Sequence, residues 1–233
     1  MLVTLPIREV LPATPRARIV RLDLGGRAFE YTAGQAVMIA RHHYSPRRPY
    51  SVASAPEEAR RDNAIELLIG VDEGGAAGGR HLPLVTGTPV DVEGPVGSFT
   101  FPPNPSERRF VFIAGGTGIA PVRAMLRHAL TIAHRDIGLF YSARGPDEFA
   151  YESEFRALAN SGQIHLRQTV TRTTDGAWRG ARGRLDREAL GELVHDPATL
   201  CFVCGPPGLV EEIPPVLTGL GVPRDRIKLE EWS

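Results

Sequence analysis

The second half of the chain opens with the sequence FVFIAGGTGIAP, residues 110–121. Its first five residues are all apolar, which is typical of a parallel strand buried on both faces. The glycines that follow allow a tight turn, and Pro121 suits a first helical turn because its missing N–H costs nothing there. A helix N-terminus offers unpaired N–H groups and a positive dipole end to a phosphate. The stretch therefore predicts a phosphate-binding loop with Gly116, Thr117, Gly118 and Pro121 as contacts, the alternative being a tight turn without a ligand.

The rest of the second half alternates between short apolar runs and helical patterns. Strands are predicted at residues 110–114, 137–141, 164–170 and 199–204, and helices from the glycine loop to about residue 133 and at 149–159, 186–194 and 209–220. Strands that alternate with helices over links of this length indicate a doubly wound parallel sheet. The interpretation is an α/β nucleotide-binding domain over residues 108–233.

The first half has a different rhythm, with short β segments separated by glycine and proline clusters. Strands are predicted at residues 3–10, 17–24, 36–41, 49–54, 64–71 and 88–93. Several short strands at this spacing favour a barrel or a sandwich. Three prolines within residues 101–106 interrupt any strand or helix. We therefore predict an antiparallel β-barrel domain over residues 1–103.

Composition excludes several classes of protein. Lysine and arginine total 27 and aspartate and glutamate total 27, so the basic excess typical of nucleic-acid binders is missing. No apolar run approaches the ~18 residues of a membrane span, and residues 1–10 show no export signal, so a cytoplasmic protein is expected. Two cysteines cannot hold a four-thiolate iron–sulfur cluster or zinc site, and no metal site is predicted.

The two cysteines, Cys201 and Cys204, lie on one predicted strand. Residues three apart on a strand point to opposite faces, so a disulfide between them is not expected. Cys201 is interpreted as a small buried apolar residue. Cys204 ends the strand, at the edge where an open α/β sheet binds its ligand.

The most informative stretch of the first half is RPYSVAS, residues 48–54. In an extended segment Arg48 and Tyr50 point the same way, which places a cation and an aromatic face side by side. The alternative interpretation is an ordinary strand with a surface arginine.

Three spaced motifs together are specific: RPYS at residues 48–51, GGTGIAP at 115–121 and CGPP at 204–207. With them the chain resembles the ferredoxin–NADP reductase family over essentially its whole length. The resemblance implies an FAD-dependent NADPH oxidoreductase that passes hydride from the nicotinamide to the flavin. Electrons would then pass to a carrier protein such as a ferredoxin.

The resemblance also implies how the flavin is bound. Arg48 would pair with the FAD pyrophosphate, Tyr50 would stack on the isoalloxazine ring, and Ser51 would hydrogen-bond near flavin N5. Pro49 and Val52, in the same segment, would also take part in flavin binding. The family's second flavin contact is a glycine-rich stretch with a hydroxyl residue, and here Gly78 and Gly79 occupy it, with Gly79 where the hydroxyl is expected. Trp232 would cover the flavin face.

On the nicotinamide side, the resemblance places Cys204 against the nicotinamide ring, followed by Gly205 and Pro206. Glu230, two residues before Trp232, would be the catalytic carboxylate. Arginines near the ends of the second and third strands suit the 2′-phosphate of NADPH. The residues at such positions are Arg144, Thr171, Arg172 and Arg184. They favour NADPH, and NADH stays open because arginine is common throughout the chain.

Two other functions stay open from the sequence. A free-flavin reductase, which uses flavin as a substrate, has a similar length and a similar Arg-Pro-aromatic-Ser motif. A non-catalytic subunit that holds flavin within a larger electron-transfer complex is the second alternative. The amount of flavin that stays bound distinguishes the first, and NADPH-dependent ferricyanide reduction distinguishes the second.

Overall fold

A computed structural model describes residues 1–72, 82–172, 176 and 178–231 of the chain. It separates into two compact units. The first comprises Met1–Phe101 together with Arg123–His128, and the second comprises Pro102–Val122 together with Ala129–Ser233. Each unit contains one six-stranded sheet.

The sheet of the first unit is antiparallel throughout, with the strand order β4-β3-β6-β1-β2-β5. Its strands are β1 Leu2–Thr14, β2 Ala17–Asp23, β3 Ala36–Arg41, β4 Arg48–Ser51, β5 Ala64–Gly70 and β6 Pro89–Val96. Alternation between buried and exposed residues defines the inner face. In β1, for example, Leu5 and Ile7 are buried while Thr4 and Pro6 are exposed.

The two ends of this sheet meet. Val52, directly after β4, forms an antiparallel bridge with Leu67 of β5. The next amide, that of Ala53, donates to the Glu66 carbonyl at 2.7 Å. The sheet is thereby closed into a barrel around an apolar core, which confirms the fold class predicted for the first half.

The sequence analysis missed one helix of this unit, α1, which spans Pro56–Asp62. Its signals are present in the sequence: a proline at the helix start, acidic Glu57 and Glu58 in the first turn, and basic Arg60 and Arg61 in the last. Asn63 ends it in the left-handed conformation, with φ of 51°. The helix has only seven residues, so it shows little apolar periodicity.

The sheet of the second unit is entirely parallel, in the order β10-β9-β8-β7-β11-β12. Its strands are β7 Arg109–Gly115, β8 Asp136–Ala143, β9 His165–Val170, β10 Ala181–Arg182, β11 Thr199–Gly205 and β12 Ile227–Glu231. All seven residues of β11 are buried. At the centre, Phe112 and Phe202 stack in register with ring centroids 5.3 Å apart. The predicted doubly wound α/β fold is confirmed.

The helices of this part of the chain are α2 Ile119–Ala129, α3 Glu152–Asn160, α4 Arg187–Gly191 and α5 Pro207–Gly219. Helix α2 ends about four residues before the predicted end. Helix α3 begins three residues later than predicted because Tyr151 before it adopts the left-handed conformation, with φ of 59°. Asp186 lies outside α4 as its cap, since its side chain accepts from the Ala189 amide at 2.9 Å.

Strands β10 and β12 were not predicted from the sequence. For β12 the alternation of Ile227, Lys228, Leu229 and Glu230 was an available signal. Within the part of the chain that the structure describes, none of the helices is both long and apolar enough to span a membrane.

Candidate functional site

The order of the parallel sheet fixes where a ligand can bind in the second unit. From β7 the chain builds outward through β8, β9 and β10, and then returns to place β11 on the other side of β7. The strand order therefore reverses between β7 and β11. Open α/β sheets bind ligands at such a switch point, outside the carboxyl ends of the strands. Here that position carries the glycine loop after β7 and Cys204 to Pro206 at the end of β11.

The glycines of these two loops permit the loops to approach each other very closely. A Cβ atom on Gly115 would lie 2.9 Å from Cδ of Pro206, and one on Gly205 would lie 3.2 Å from the Gly115 amide nitrogen. Neither position therefore accepts a side chain without a shift of its neighbours. The structure thus brings together Gly205, Pro206 and the predicted phosphate loop.

The loop itself forms a short 3₁₀ turn over Gly116–Gly118, after which α2 begins at Ile119. Gly116 has φ of 55°, in the left-handed region that favours glycine. It is exposed and Thr117 is half-buried, whereas Gly118 and Pro121 are buried. An exposed backbone turn that leads into a helix N-terminus fits a phosphate group.

The arginines predicted for the 2′-phosphate lie at the carboxyl ends of adjacent strands. The Thr171 amide donates to the Ala143 carbonyl at 2.9 Å, and the Arg172 amide donates to the Arg144 carbonyl at 2.9 Å. The exposed Arg144, Thr171 and Arg172 are therefore neighbours at this edge. Arg184 follows β10, next along the sheet, but its guanidinium forms an ion pair with Glu212.

Cys204 and Glu230 are cross-strand neighbours on β11 and β12. The Cys204 Sγ lies 3.9 Å from Oε2 of Glu230, with the thiol as donor. Burial raises the pKa of Glu230 to about 7, against a smaller lowering effect of that hydrogen bond. Burial, and the carboxylate beside it, also raise the pKa of the Cys204 thiol. The pair therefore holds a neutral thiol next to a carboxyl group that can exchange a proton near neutral pH.

Cys201 has no such partner role. It is fully buried, and burial raises its thiol pKa to about 12. Both cysteines are free thiols, in line with their placement on opposite faces of one strand. Among the described residues, no group of three histidine, cysteine or acidic side chains could hold a metal ion.

The flavin-side candidates lie on and directly after β4 in the first unit. Arg48 and Pro49 are exposed, and Tyr50 and Ser51 are half-buried. Tyr50 packs against the barrel core, and burial raises its pKa, so the phenol stays neutral. The Val52 side chain is wholly inside the barrel, so only its backbone could contact a ligand. This set of side chains, a cation, an aromatic ring and a hydroxyl on β4, fits a flavin nucleotide.

Three predicted residues, Gly78, Gly79 and Trp232, lie outside the described part of the chain. Their roles stay predictions.

Sequence reasoning missed the charged network that holds the backbone just after the flavin motif. Within the first unit, Arg123 Nη1 donates to the Ala53 carbonyl at 2.8 Å and to Glu58 Oε2 at 3.1 Å. Glu58 Oε2 also accepts from the Ala55 amide at 2.9 Å, and Arg127 Nε donates to Glu58 Oε1 at 2.9 Å.

The ionisation of Glu58 follows from this network. Burial alone would raise its pKa, but the charge of Arg123 with the hydrogen bonds around it lowers the pKa below its usual value. No local pattern in the sequence signals the network, because its members lie about 65 residues apart.

Comparisons with known proteins match both halves of the chain to oxidoreductase domains. Residues 6–101 match the family model described as "Oxidoreductase FAD-binding domain", and residues 112–214 match "Oxidoreductase NAD-binding domain". The chain is 33% identical to ferredoxin–NADP reductase B of Sorangium cellulosum, over 97% of this chain and 95% of that protein. It is 28% identical to NADH-cytochrome b5 reductase 2 of Candida albicans, over 71% of this chain and 56% of that protein.

A solved structure also aligns with nearly the whole chain. It is a cytochrome P450 reductase from Amycolatopsis, 28% identical, with a TM-score of 0.83 over 99% of this chain and 70% of that one.

Proposed function

Because the chain belongs to the ferredoxin–NADP reductase family of FAD- and NAD-binding oxidoreductases, we propose that it oxidises NADPH and passes electrons to a carrier protein such as a ferredoxin. When bound, the flavin supplies the redox chemistry, since it accepts a hydride and can release electrons singly. The task of the chain is to bind and orient the two nucleotides.

The observation that carries this proposal is the arrangement at the switch point of the parallel sheet. The loop Gly116–Gly118, which is exposed at Gly116, the neutral Cys204 thiol and the Glu230 carboxyl are all at the carboxyl ends of neighbouring strands. A dinucleotide placed there would have its pyrophosphate at the loop. Cys204 would then pack against the nicotinamide ring, and the Glu230 carboxyl would assist proton movement during turnover.

On the flavin side, we assign Arg48 to the FAD pyrophosphate, Tyr50 to the isoalloxazine ring and Ser51 to a hydrogen bond near N5. The exposed position of Arg48 and the partial burial of Tyr50 against the barrel support these roles. Pro49 and the Val52 backbone would border the same ring. Gly78 and Gly79 would contact the pyrophosphate, and Trp232 would cover the flavin face.

We propose NADPH as the preferred reductant. The neighbouring Arg144 and Arg172, with Thr171 directly before Arg172, support it because paired guanidinium groups suit a phosphate. A relative named ferredoxin–NADP reductase also supports it. Arg184 would join them only by releasing Glu212. Since another relative is named for NADH, NADH is the competing reductant.

The carrier protein is inferred from the names of related proteins. One relative is named a ferredoxin–NADP reductase and one solved neighbour a cytochrome P450 reductase, so both names refer to electron transfer to another protein. A one-electron carrier is the partner class that these names support.

The first experiment is to measure the flavin that stays with the gel-filtered protein, together with NADPH-dependent ferricyanide reduction. Near one equivalent of FAD and rapid ferricyanide reduction are expected. Little bound flavin, with activity restored by free riboflavin or FMN, would favour a flavin reductase. Bound flavin with negligible ferricyanide reduction would favour a non-catalytic subunit.

The reductant is tested by comparing kcat/KM for NADPH and NADH in the wild type and in Arg144→Ala. The variant should lose about tenfold in kcat/KM for NADPH, as expected for one lost charge-assisted contact, and change little for NADH. Arg156→Ala, an exposed arginine on α3 paired with Glu152, is the control. An equal loss for both nucleotides would reject a 2′-phosphate role for Arg144.

A further inference from the structure

The buried side chain of Tyr141 reaches the phosphate loop from inside the second unit. Tyr141 is on β8 and is completely buried. Its hydroxyl donates to the Gly116 carbonyl at 3.2 Å and accepts from the Ala150 amide at 3.2 Å. The same Gly116 carbonyl also accepts from the Ile119 amide at the start of α2. Its oxygen therefore faces the interior of the unit.

This orientation determines where the next amide points. The two cis peptide bonds of the described residues both precede prolines, at Pro46 and Pro95, so the bond between Gly116 and Thr117 is trans. In a trans peptide the C=O and the N–H point in opposite directions. With the Gly116 oxygen directed at Tyr141, the Thr117 N–H is directed away from the interior, on the exposed side of the loop.

Within the loop, the hydrogen bond from the Ile119 amide favours that orientation. The Gly116–Thr117 peptide rotates about ψ of Gly116 and φ of Thr117, and the glycine at the first of these positions lowers the conformational cost of the rotation. Rotated by half a turn, it would present a carbonyl oxygen, rather than an N–H, to an anion. The hydrogen bond from the Tyr141 hydroxyl adds a second interaction, from outside the loop, that favours the same orientation.

The tyrosine ring is itself held firmly. It packs edge-on against Phe149, with centroids 5.1 Å apart, and against Phe155, at 6.4 Å. Phe149 in turn stacks on Trp178 at 5.6 Å, and Trp178 Nε1 donates to the Ala181 carbonyl at 3.0 Å. The position of the hydroxyl is thus set by an aromatic cluster and not by the loop that it contacts.

We infer that Tyr141 is a positioning residue for nicotinamide nucleotide binding: its hydroxyl holds the Gly116–Thr117 peptide in the orientation that offers the Thr117 N–H to the pyrophosphate. This rests on the proposed function, which supplies the ligand. Tyr141 does not touch the nucleotide. Its effect is confined to ligands that carry the pyrophosphate.

The test is Tyr141→Phe, which removes the hydroxyl and keeps the ring contacts. Dissociation constants for NADP⁺ and ADP-ribose, which both contain the pyrophosphate, should rise roughly five- to tenfold, as expected for one lost hydrogen bond. The constant for 2′-AMP, or for adenosine if NADH is the better reductant, should change less than twofold. KM for the nucleotide should rise while kcat at saturation is retained. Tyr151→Phe is the control, since Tyr151 contacts the same Phe155 ring.

Melting temperature and FAD content of each variant show whether the protein remains folded at the assay temperature. Equal binding of ADP-ribose by wild type and Tyr141→Phe would overturn the inference and leave the proposed function intact. Equal weakening of pyrophosphate-containing and pyrophosphate-free ligands would also overturn it, since that result indicates general loosening of the unit. If the wild type binds neither NADP⁺ nor ADP-ribose, the proposed function fails and the inference fails with it.

Discussion

At the scale of single residues, Glu230 shows how burial prepares a side chain for proton transfer. On the surface its carboxyl would be ionised at neutral pH, and in its place beside Cys204 the pKa is raised to about 7, chiefly by burial. Such a group can donate or accept a proton near neutral pH, as acid–base catalysis requires. The same shift has a consequence for stability that does not depend on the proposed reaction.

The consequence is a pH-dependent loss of stability. Between the ordinary pKa of 4.5 and about 7, the folded protein retains a proton on Glu230 that the unfolded chain has released. The unfolding free energy therefore falls as pH rises through this window. The difference in unfolding free energy between pH 5 and pH 8, measured with urea, should be smaller in Glu230→Gln than in the wild type. Glu231→Gln, at the exposed neighbouring residue, is the control. If Glu230→Gln showed the same difference between pH 5 and pH 8 as the wild type, the raised pKa of Glu230 would be contradicted.

A separate prediction for a single residue concerns Ser51 and the flavin. If the Ser51 hydroxyl supports hydride transfer at flavin N5, Ser51→Ala should slow flavin reduction about tenfold and change NADPH affinity much less. Stopped-flow reduction at several NADPH concentrations separates the rate from the affinity. Ser98→Ala, at an exposed serine of the same unit, is the control. Equal, small effects on rate and affinity would remove Ser51 from the mechanism.

At the scale of elements, the short segment after β4 depends on charges buried within the first unit. Arg123 binds the Ala53 carbonyl and Glu58, and both charged side chains are about nine-tenths buried. Removing one member of a buried ion pair leaves the other charge uncompensated. Ala53 is two residues after Ser51, so loosening of the segment should also affect flavin retention.

Arg123→Met should therefore lower the unfolding free energy by about 3–5 kcal/mol, and the purified protein should hold less FAD. Chemical denaturation and absorbance at flavin wavelengths measure the two effects. Arg156→Met provides a matched comparison, because Arg156 forms an exposed pair with Glu152 that should contribute less than about 1 kcal/mol. Similar losses in both variants would mean that the Arg123 pair has no special role.

The same scale shows which elements can be inferred from sequence. Strand β11 is buried throughout and β7 is buried from Phe110 onward, so their continuous apolar runs were sufficient. Strand β10 has two residues and helix α1 has seven, and each is too short for periodicity to develop. Strand β10 forms because the longer β9 offers it hydrogen bonds. Helix α1 is held by Arg123 and Arg127, which both donate to its Glu58 side chain.

At the scale of the whole molecule, three features could be located from sequence, because strand ends of a parallel sheet meet at one edge. They are the glycine loop, the residues Cys204–Pro206 and the arginines after β8 and β9. Pairings between distant residues could not be located from sequence. The ion pair between Arg184 and Glu212 depends on which helices and strands become neighbours, and so does the hydrogen bond between Tyr141 and Gly116. So does the burial that shifts the Glu230 pKa.

The division of the proposed contacts between two units gives a final prediction about ligand-linked stability. A ligand that binds only the folded protein adds about 2.7 kcal/mol to the unfolding free energy at a hundred times its dissociation constant. Flavin-stripped wild type should therefore be stabilised separately by FAD and by NADP⁺. Arg48 is in the first unit and Arg144 in the second, so each substitution should affect one ligand.

Differential scanning fluorimetry with each ligand tests this separation. Arg48→Ala should lose most of the shift in melting temperature with FAD and retain the shift with NADP⁺, and Arg144→Ala should show the reverse. Both arginines are exposed, so neither substitution should lower the melting temperature of the ligand-free protein by more than a few degrees. If Arg48→Ala reduced both shifts equally, Arg48 would act through the stability of the chain, and the FAD pyrophosphate would need another partner.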